Sequence, residues 1–271
     1  MAKSPNREAR TYNRSLSRRE VRLLSEWERE RRVLVTLGDI RAKVGQSAAP
    51  EVASDLVRKR VLERVRPGSY VIRPFRAIAR PSTVSTPVAV EAILRDEPHY
   101  LGGPWALSFH HLTEQRYDSI VDAFVTHRLQ PRSIGPARVR FHVLAGDALK
   151  YGIEPATIEG VSIPVSDTER TILDALDHPR VFFGVARAVE LAKDRLGQVN
   201  LERLLAYAVA GSKPSTCQRL GVLLQRAGLS ARRLAKLRAR ARDTRSLLSM
   251  NPDAARTGPV NEDWSVVEND R

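Results

Sequence analysis

The sequence predicts a helix-rich α+β (mixed α/β) protein with a small N-terminal domain and a larger C-terminal domain that ends in a helical bundle. Its 271 residues are too many for one minimal domain and suit two. Hydrophobic residues make up 42% and charged residues 28%, a balance that allows a buried core. Helical and strand periodicities both occur along the chain.

Charge is the strongest compositional feature. Lys and Arg number 45 against 31 Asp and Glu, a formal net charge of +14. By count, residues 1–80 hold about 20 basic and about 9 acidic side chains, so roughly +11 lies there. A basic module joined to a near-neutral one is typical of nucleic-acid binders. The alternative is solubility, or attraction to any polyanion, including anionic lipid.

Several classes of protein are excluded by composition. No apolar run approaches the about 20 residues that a membrane-spanning helix needs, and the polar, basic start has no signal-peptide core. Cys217 is the single cysteine, and no metal-ligand spacing occurs. We therefore expect a cytoplasmic protein with no metal, no cofactor and no membrane partner.

The first predicted elements are a helix over 17–32 and a short strand over 33–35. Ser17 can cap the helix, and Glu20 completes a capping box three residues later. Helical spacing predicts a buried stripe made of Val21, Leu24 and Trp27.

Two more helices follow with a short turn between them. Thr36 is a good N-cap and Asp39 suits the first turn of the second helix. Gly45 can end that helix in the left-handed conformation. Pro50 suits the first turn of a third helix over 49–60.

A basic β-hairpin closes the N-terminal domain, which we place at 1–80. Strands over 61–65 and 69–72 are joined by the turn dipeptide Pro67-Gly68. Helix, helix, short turn, helix and hairpin is the order of a winged helix-turn-helix. In such a domain the third helix enters the major groove of double-stranded DNA.

The candidate DNA contacts lie on the outer surface of these elements or just before the first helix. Phosphate contacts are expected near the end of the third helix and base contacts along its outer face, where Glu and Asp can accept from cytosine N4. The hairpin arginines suit the DNA backbone or the minor groove. The candidates are Arg14, Arg18, Ser47, Glu51, Ser54, Asp55, Arg58, Lys59, Arg64, Arg66 and Arg73. The alternative is a winged helix that contacts only protein.

A Pro-, Ser- and Thr-rich linker over 81–87 precedes the C-terminal domain, 88–271. Helices are expected at 88–94 and 104–112, and strands at 119–126, 139–144 and 158–165. Ser166 is the expected cap of the next helix, with Glu169 as its partner. Four helices then follow at 184–195, 201–210, 215–227 and 231–241. The polar tail from Arg242 should be loose, except for a closing strand over 264–267.

Four fragments of this domain together resemble AbiEi-type antitoxins. They are HYLGGPWALSFHHLTEQ (99–115), GVSIPVSDTERTILDALDHP (160–179), PSTCQRLGVLLQRAGL (214–229) and TGPVNEDWSVVEN near the C-terminus. With the N-terminal domain, the resemblance covers nearly the whole chain. The sequence departs from it at His111, where the family pattern has glycine.

The resemblance implies an antitoxin of a type IV toxin–antitoxin, or abortive infection, system. Such proteins bind inverted repeats in their own promoter and repress the operon. They also counter a nucleotidyltransferase-like toxin, commonly without stable contact. On this interpretation the chain is not an enzyme, and its partners are double-stranded DNA and the cognate toxin.

Two other functions stay open from the residues alone. Gly102-Gly103 followed by Asp118 and Asp122 suggests a nucleotidyl- or phosphotransferase acting on the toxin, although metal-binding carboxylates should stand two apart on a strand. The chain could also bind and neutralise the toxin directly. We interpret Arg170 and Asp174 as a helix-anchoring ion pair, and His110 as a satisfied core histidine.

Overall fold

A computed structural model describes residues 16–73, 85–95, 97–134, 137–242 and 246–270. It is a mixed α/β structure that divides into two compact units. The first unit is Met1–Glu97 with Ser133–Pro136 and Ala156–Ile163, and the remainder forms the second. We predicted the division at the linker 81–87, of which 81–84 lie outside the described residues; the structure groups the helix that begins at Thr86 with the first unit.

The first unit contains four helices and a three-stranded sheet in its described part. In chain order the elements are α1 (Arg18–Arg29), β1 (Leu34–Thr36), α2 (Leu37–Val44), α3 (Ala49–Arg58), β2 (Leu62–Arg66), β3 (Ser69–Ile72) and α4 (Thr86–Leu94). The strand order is β1-β3-β2, with both pairs antiparallel. The predicted short strand before α2 thus pairs with the hairpin. Helix α4 packs against β2 and β3.

Local capping signals set the ends of α1 and α2. Both predicted capping boxes are present, from Ser17 with Glu20 and from Thr36 with Asp39. Gly45 has φ +88°, the region that glycine adopts without steric cost.

The predicted buried face of α1 is wrong at Val21. That side chain is 47% exposed, whereas Leu23 and Trp27 are buried and Leu24 is half-buried. Glu20, Leu23 and Trp27 share one helix face because they are spaced by three and four residues. The polar Glu20 therefore stands in the buried row.

The second unit holds a mixed sheet and a helical bundle. Its first elements are β4 (His99–Gly102), α5 (Gly103–Phe109), β5 (Ile120–Val125), β6 (Arg132–Ile134), β7 (Ala137–Val143), β8 (Ile153–Ile158) and β9 (Val161–Ser166). The bundle consists of α6 (Thr168–Asp177), α7 (Val185–Arg195), α8 (Leu201–Gly211), α9 (Pro214–Arg226) and α10 (Ala231–Ala241). The strand order is β6-β7-β5-β4-β9-β8. Strand β4 is antiparallel to β5 and parallel to β9, and β5 is parallel to β7.

The cap of α6 differs from the expected one. Asp167, not Ser166, accepts the hydrogen bond from the Arg170 N–H at 2.7 Å. Ser166 ends β9, and its hydroxyl lies 2.8 Å from that of Thr171. Glu169 accepts instead from the N–H of Asn200 at 2.7 Å, so it joins α6 to the start of α8.

The C-terminal segment is packed rather than loose. Strands β10 (Leu248–Ser249), β11 (Val260–Asn261) and β12 (Val266–Val267) form a small sheet. Trp264 is 3% exposed, and its ring lies directly over Gly221 of α9, where no Cβ would fit. The polar composition of the tail hid these few apolar contacts. Among the described residues, none of the helices is long and apolar enough to cross a membrane.

Candidate nucleic-acid interface

Helix α3 has one buried and one open face. Val52 and Leu56 are buried in the core of the first unit, whereas Glu51, Ser54 and Arg58 are exposed. The hydrophobic spacing of the helix produces this division. A row of polar side chains is therefore available to a partner.

Two other predicted contacts lie beside that row. Ser47 is exposed in the turn before α3. Asp55 is half-buried and forms an ion pair with Arg58. Because this pair offsets its charge, the outer face of α3 is less cationic than the sequence suggested.

Lys59 is engaged inside the protein. Its Nζ lies 2.7 and 2.6 Å from the two carboxylate oxygens of Glu20, and the side chains of Lys59 and Glu20 are 12% and 3% exposed. Burial alone would raise the pKa of Glu20, but hydrogen bonds from Lys59 and the Ser17 N–H take it below its ordinary value. The structure thus gives Lys59 a role in tying α3 to α1, where we predicted a phosphate contact.

The hairpin is tight and partly covered. The Gly68 carbonyl accepts from the Leu37 N–H at 2.8 Å, so the turn is held against the start of α2. Arg64 is exposed and Arg73 is half-buried. Arg66 donates from Nε to the Ser69 hydroxyl at 3.0 Å. Only Arg64 of these three hairpin arginines is fully open to solvent.

A basic groove between α1 and α2 was not predicted from the sequence. It has a volume of about 500 Å³. Its lining includes four cations, Arg18, Arg19, Arg22 and Lys43. Glu26 partly offsets them, since it lies 2.8 Å from Lys43 Nζ and 3.6 Å from Arg22 Nε.

Arg18 and Arg19 give the groove its uncompensated charge. Neither has a carboxylate partner among the described residues. Arg18 was predicted as a contact, and the adjacent Arg18-Arg19 pair in the sequence was the available signal for Arg19. Arg14 lies outside the described residues.

The carboxylates of the alternative transferase site have different surroundings. Asp118 precedes β5, is 66% exposed and pairs with Arg116 at 3.1 Å. Asp122 lies within β5 and is fully buried. It accepts from Arg140 Nε at 2.7 Å and Nη2 at 2.8 Å, and its Oδ1 lies 2.6 Å from His142 Nε2. Asp122 is therefore occupied by protein cations.

The glycine pair of that site faces the same carboxylate. A Cβ on Gly103 would lie 2.6 Å from Asp122 Oδ2, so glycine is needed for the close packing of α5 against β5. Among the described residues, no group of three or more His, Cys, Asp and Glu side chains could hold a metal ion.

Arg170 and Asp174 form a buried, saturated pair. Arg170 donates from Nε to Asp174 at 2.7 Å and from Nη1 to the Ala148 carbonyl at 2.8 Å. The Tyr100 hydroxyl donates to Asp174 at 2.8 Å. Burial raises the pKa of Asp174 to about 6, against the opposing effect of Arg170. These contacts fix α6 to β4 and agree with our interpretation of a helix-anchoring pair.

The histidines of the second unit fall into three situations. His110 Nε2 lies 2.5 Å from the Ser166 carbonyl oxygen, as expected for a satisfied histidine. His111 has φ +56°, a conformation that favours the glycine of the AbiEi pattern. Burial, and then the charges of Lys213, Arg170 and His142, lower the pKa of His178 to about 4.

Comparison with known proteins adds information on the fold. The architecture defines a two-unit mixed α/β protein, and no family model and no curated protein matches the chain. Among solved structures, it is similar to the RV2827C protein from Mycobacterium tuberculosis, with a TM-score of 0.63 and 16% sequence identity. The match covers 96% of this chain and 94% of that one. At this identity the likeness shows a shared fold alone.

Proposed function

We propose that the chain is a DNA-binding transcriptional regulator whose first unit is a winged helix-turn-helix. One observation carries the proposal: α3 presents Glu51, Ser54 and Arg58 to solvent, beside a hairpin, in the most basic part of the chain. A helix with an open polar face can read base edges in the major groove. A helix buried on all sides could not.

The interface divides into base-reading and phosphate-binding parts. Ser47, Glu51 and Ser54 are placed to meet bases, because they are exposed and carry hydrogen-bonding groups. Arg18 and Arg19 suit phosphates, since their guanidinium groups have no acidic partner among the described residues. We assign most of the electrostatic affinity to the α1–α2 groove and the specificity to α3.

The biological role follows from the resemblance to AbiEi-type antitoxins. We propose that the protein represses its own operon by binding inverted repeats in the promoter, and that it counters a nucleotidyltransferase-like toxin. The saturated surroundings of Arg170 and Asp122 favour a structural role for these residues. We therefore prefer a regulator over an enzyme that modifies the toxin.

Fluorescence anisotropy with labelled DNA tests the proposal. The full chain is titrated with its own upstream sequence and with a scrambled duplex, at several salt concentrations. We expect tighter binding to the upstream sequence at every salt concentration. Equal affinity for the two duplexes would overturn the sequence-specific role, because a steep salt dependence alone reports phosphate contacts.

A substitution on α3 tests the assignment of base contacts. Ser54→Ala should change the ranking of operator variants while leaving the salt dependence as in the unchanged chain, because a serine hydroxyl contacts bases without a charge. Ser215→Ala in α9 of the second unit is the matched control. An unchanged ranking would show that this face of α3 does not read the bases.

A further inference from the structure

The second unit has a small pocket that the proposed DNA-binding function does not use. It lies between the segment after α5, the loop before α7 and α7 itself, and has a volume of about 60 Å³. Its floor is apolar, since Leu107, Leu112 and Phe182 are all buried. Tyr117 and Phe183 form one wall, with their rings stacked at 5.7 Å.

Two strained backbone positions border this pocket. Phe183 has φ +69°, although its side chain is 59% exposed. His111, next to the floor residue Leu112, has φ +56°. Left-handed backbone is unfavourable for a bulky residue, and strain of this kind concentrates at functional sites. Phe183 thus occupies a position that favours glycine or asparagine and still holds its ring in solvent.

A polar donor at the pocket is left without a partner. Nε of Arg195 is buried and has no hydrogen-bond acceptor in the described part of the chain. Arg187 stands at the same pocket, where its Nη1 donates to the exposed Glu190 at 2.6 Å. An arginine Nε and the neighbouring Nη form a fork that fits a carboxylate. The unpaired donor therefore indicates an acidic ligand group.

We propose that this pocket docks an acidic segment of another protein, which inserts one aliphatic side chain and pairs a carboxylate with Arg195. The volume suits a side chain, because small-molecule sites usually measure about 300–1,000 Å³. Exposed aromatic residues beside a pocket are common at the energetic centres of protein interfaces. The strain at Phe183 then has a reason, since it keeps the aromatic wall open beside the apolar floor.

Short capped peptides can probe the pocket directly. The full chain, labelled at its leucine methyl groups, is titrated with acetyl-Asp-Leu-Asp-amide and followed by NMR. We expect shifts of the methyl signals of Leu107, Leu112 and Leu191, and none from Lys-Leu-Lys or Asp-Ser-Asp peptides of the same form. Absence of shifts with the first peptide, or equal shifts with all three, would overturn the proposal.

Three substitutions separate binding from folding. Phe183→Asn should weaken peptide binding at least tenfold without lowering the melting temperature, because asparagine tolerates the left-handed conformation. Arg195→Gln should weaken the Asp-Leu-Asp peptide. The control Val143→Thr changes an exposed apolar residue of β7 and should leave binding unchanged. Undiminished binding by Phe183→Asn would overturn the proposal.

Self-association is a separate outcome. Sedimentation of the full chain and of Phe183→Asn shows whether this surface joins two copies. A dimer that the substitution dissociates would make a second copy the occupant and overturn the docking of another protein. A monomer in both cases supports it. DNA binding is measured in parallel and should be the same for both chains, so failure of this proposal is distinguishable from failure of the regulatory role.

Discussion

Removal of the Lys59 amine should destabilise the first unit far more than removal of a neighbouring exposed cation. Glu20 is 3% exposed and accepts from Lys59 at 2.6 and 2.7 Å and from the Ser17 N–H at 2.6 Å. Loss of one partner from a buried ion pair costs about 3–5 kcal/mol. Since the Ser17 hydrogen bond remains and Lys59 is 12% exposed, we expect about 2–3 kcal/mol for Lys59→Ala.

Arg58→Ala is the matched control for that experiment. Arg58 is 56% exposed on its side chain and pairs with Asp55 three residues away, a type of ion pair worth at most about 0.5 kcal/mol. Urea unfolding can be followed by the indole N–H signal of Trp27, which is buried in the first unit. Because the two units need not unfold together, a local probe is required. Equal midpoints for the two variants would refute the structural role of Lys59.

The same pair predicts an acid limb in the stability of the first unit. Glu20 has a folded-state pKa below its ordinary value of 4.5. Its contribution is therefore present above that value and is lost as the pH falls through the lower folded pKa. Lys59→Ala should flatten this limb in the Trp27 signal. A limb of unchanged steepness would show that other carboxylates cause it.

Two further predictions concern histidines of the second unit. His111→Gly should raise the free energy of unfolding by about 0.5–1 kcal/mol, because φ +56° is strained for histidine and free for glycine; chemical denaturation checks this, and a loss of stability would contradict it. The pKa of His178 falls from 6.5 unfolded to about 4 folded, so its protonation should cost stability as the pH drops from 6.5 to 4, by about 3 kcal/mol. His178→Gln should remove that part of the pH dependence in thermal melts, and identical profiles would refute it.

Local signals made much of the secondary structure predictable. The capping boxes at Ser17 and Thr36 and the turn at Gly68 depend on residues within a few positions of each other. The errors arose where a distant residue decides. Leu23, not Val21, faces the core, and Trp264 packs on Gly221 from a segment that is polar in composition.

The candidate interface was only partly predictable for the same reason. The exposed face of α3 follows from helical spacing, because Val52 and Leu56 must be buried together. The engagement of Lys59 by Glu20, 39 residues away, has no local signal. Arg19 and Lys43 likewise meet in one groove only because α1 and α2 pack side by side.

This groove gives the sharpest test of where the phosphates bind. Removal of one phosphate-binding side chain should reduce the slope of log affinity against log salt by about 0.9. The double substitution Arg18→Ala and Arg19→Ala should therefore lower the slope by about 1.8 if both side chains bind phosphate. Affinity for operator and for scrambled DNA should fall by the same factor, since phosphates carry no sequence information.

A control of equal charge change decides whether location matters. Arg232 and Lys236 are exposed on α10 of the second unit, and neither has an acidic partner among the described residues. Arg232→Ala with Lys236→Ala removes the same two charges and should leave the salt slope within error of the unchanged chain. If the two double variants lower the slope equally, net charge rather than the α1–α2 groove sets the affinity, and the assignment of phosphate binding to that groove is wrong.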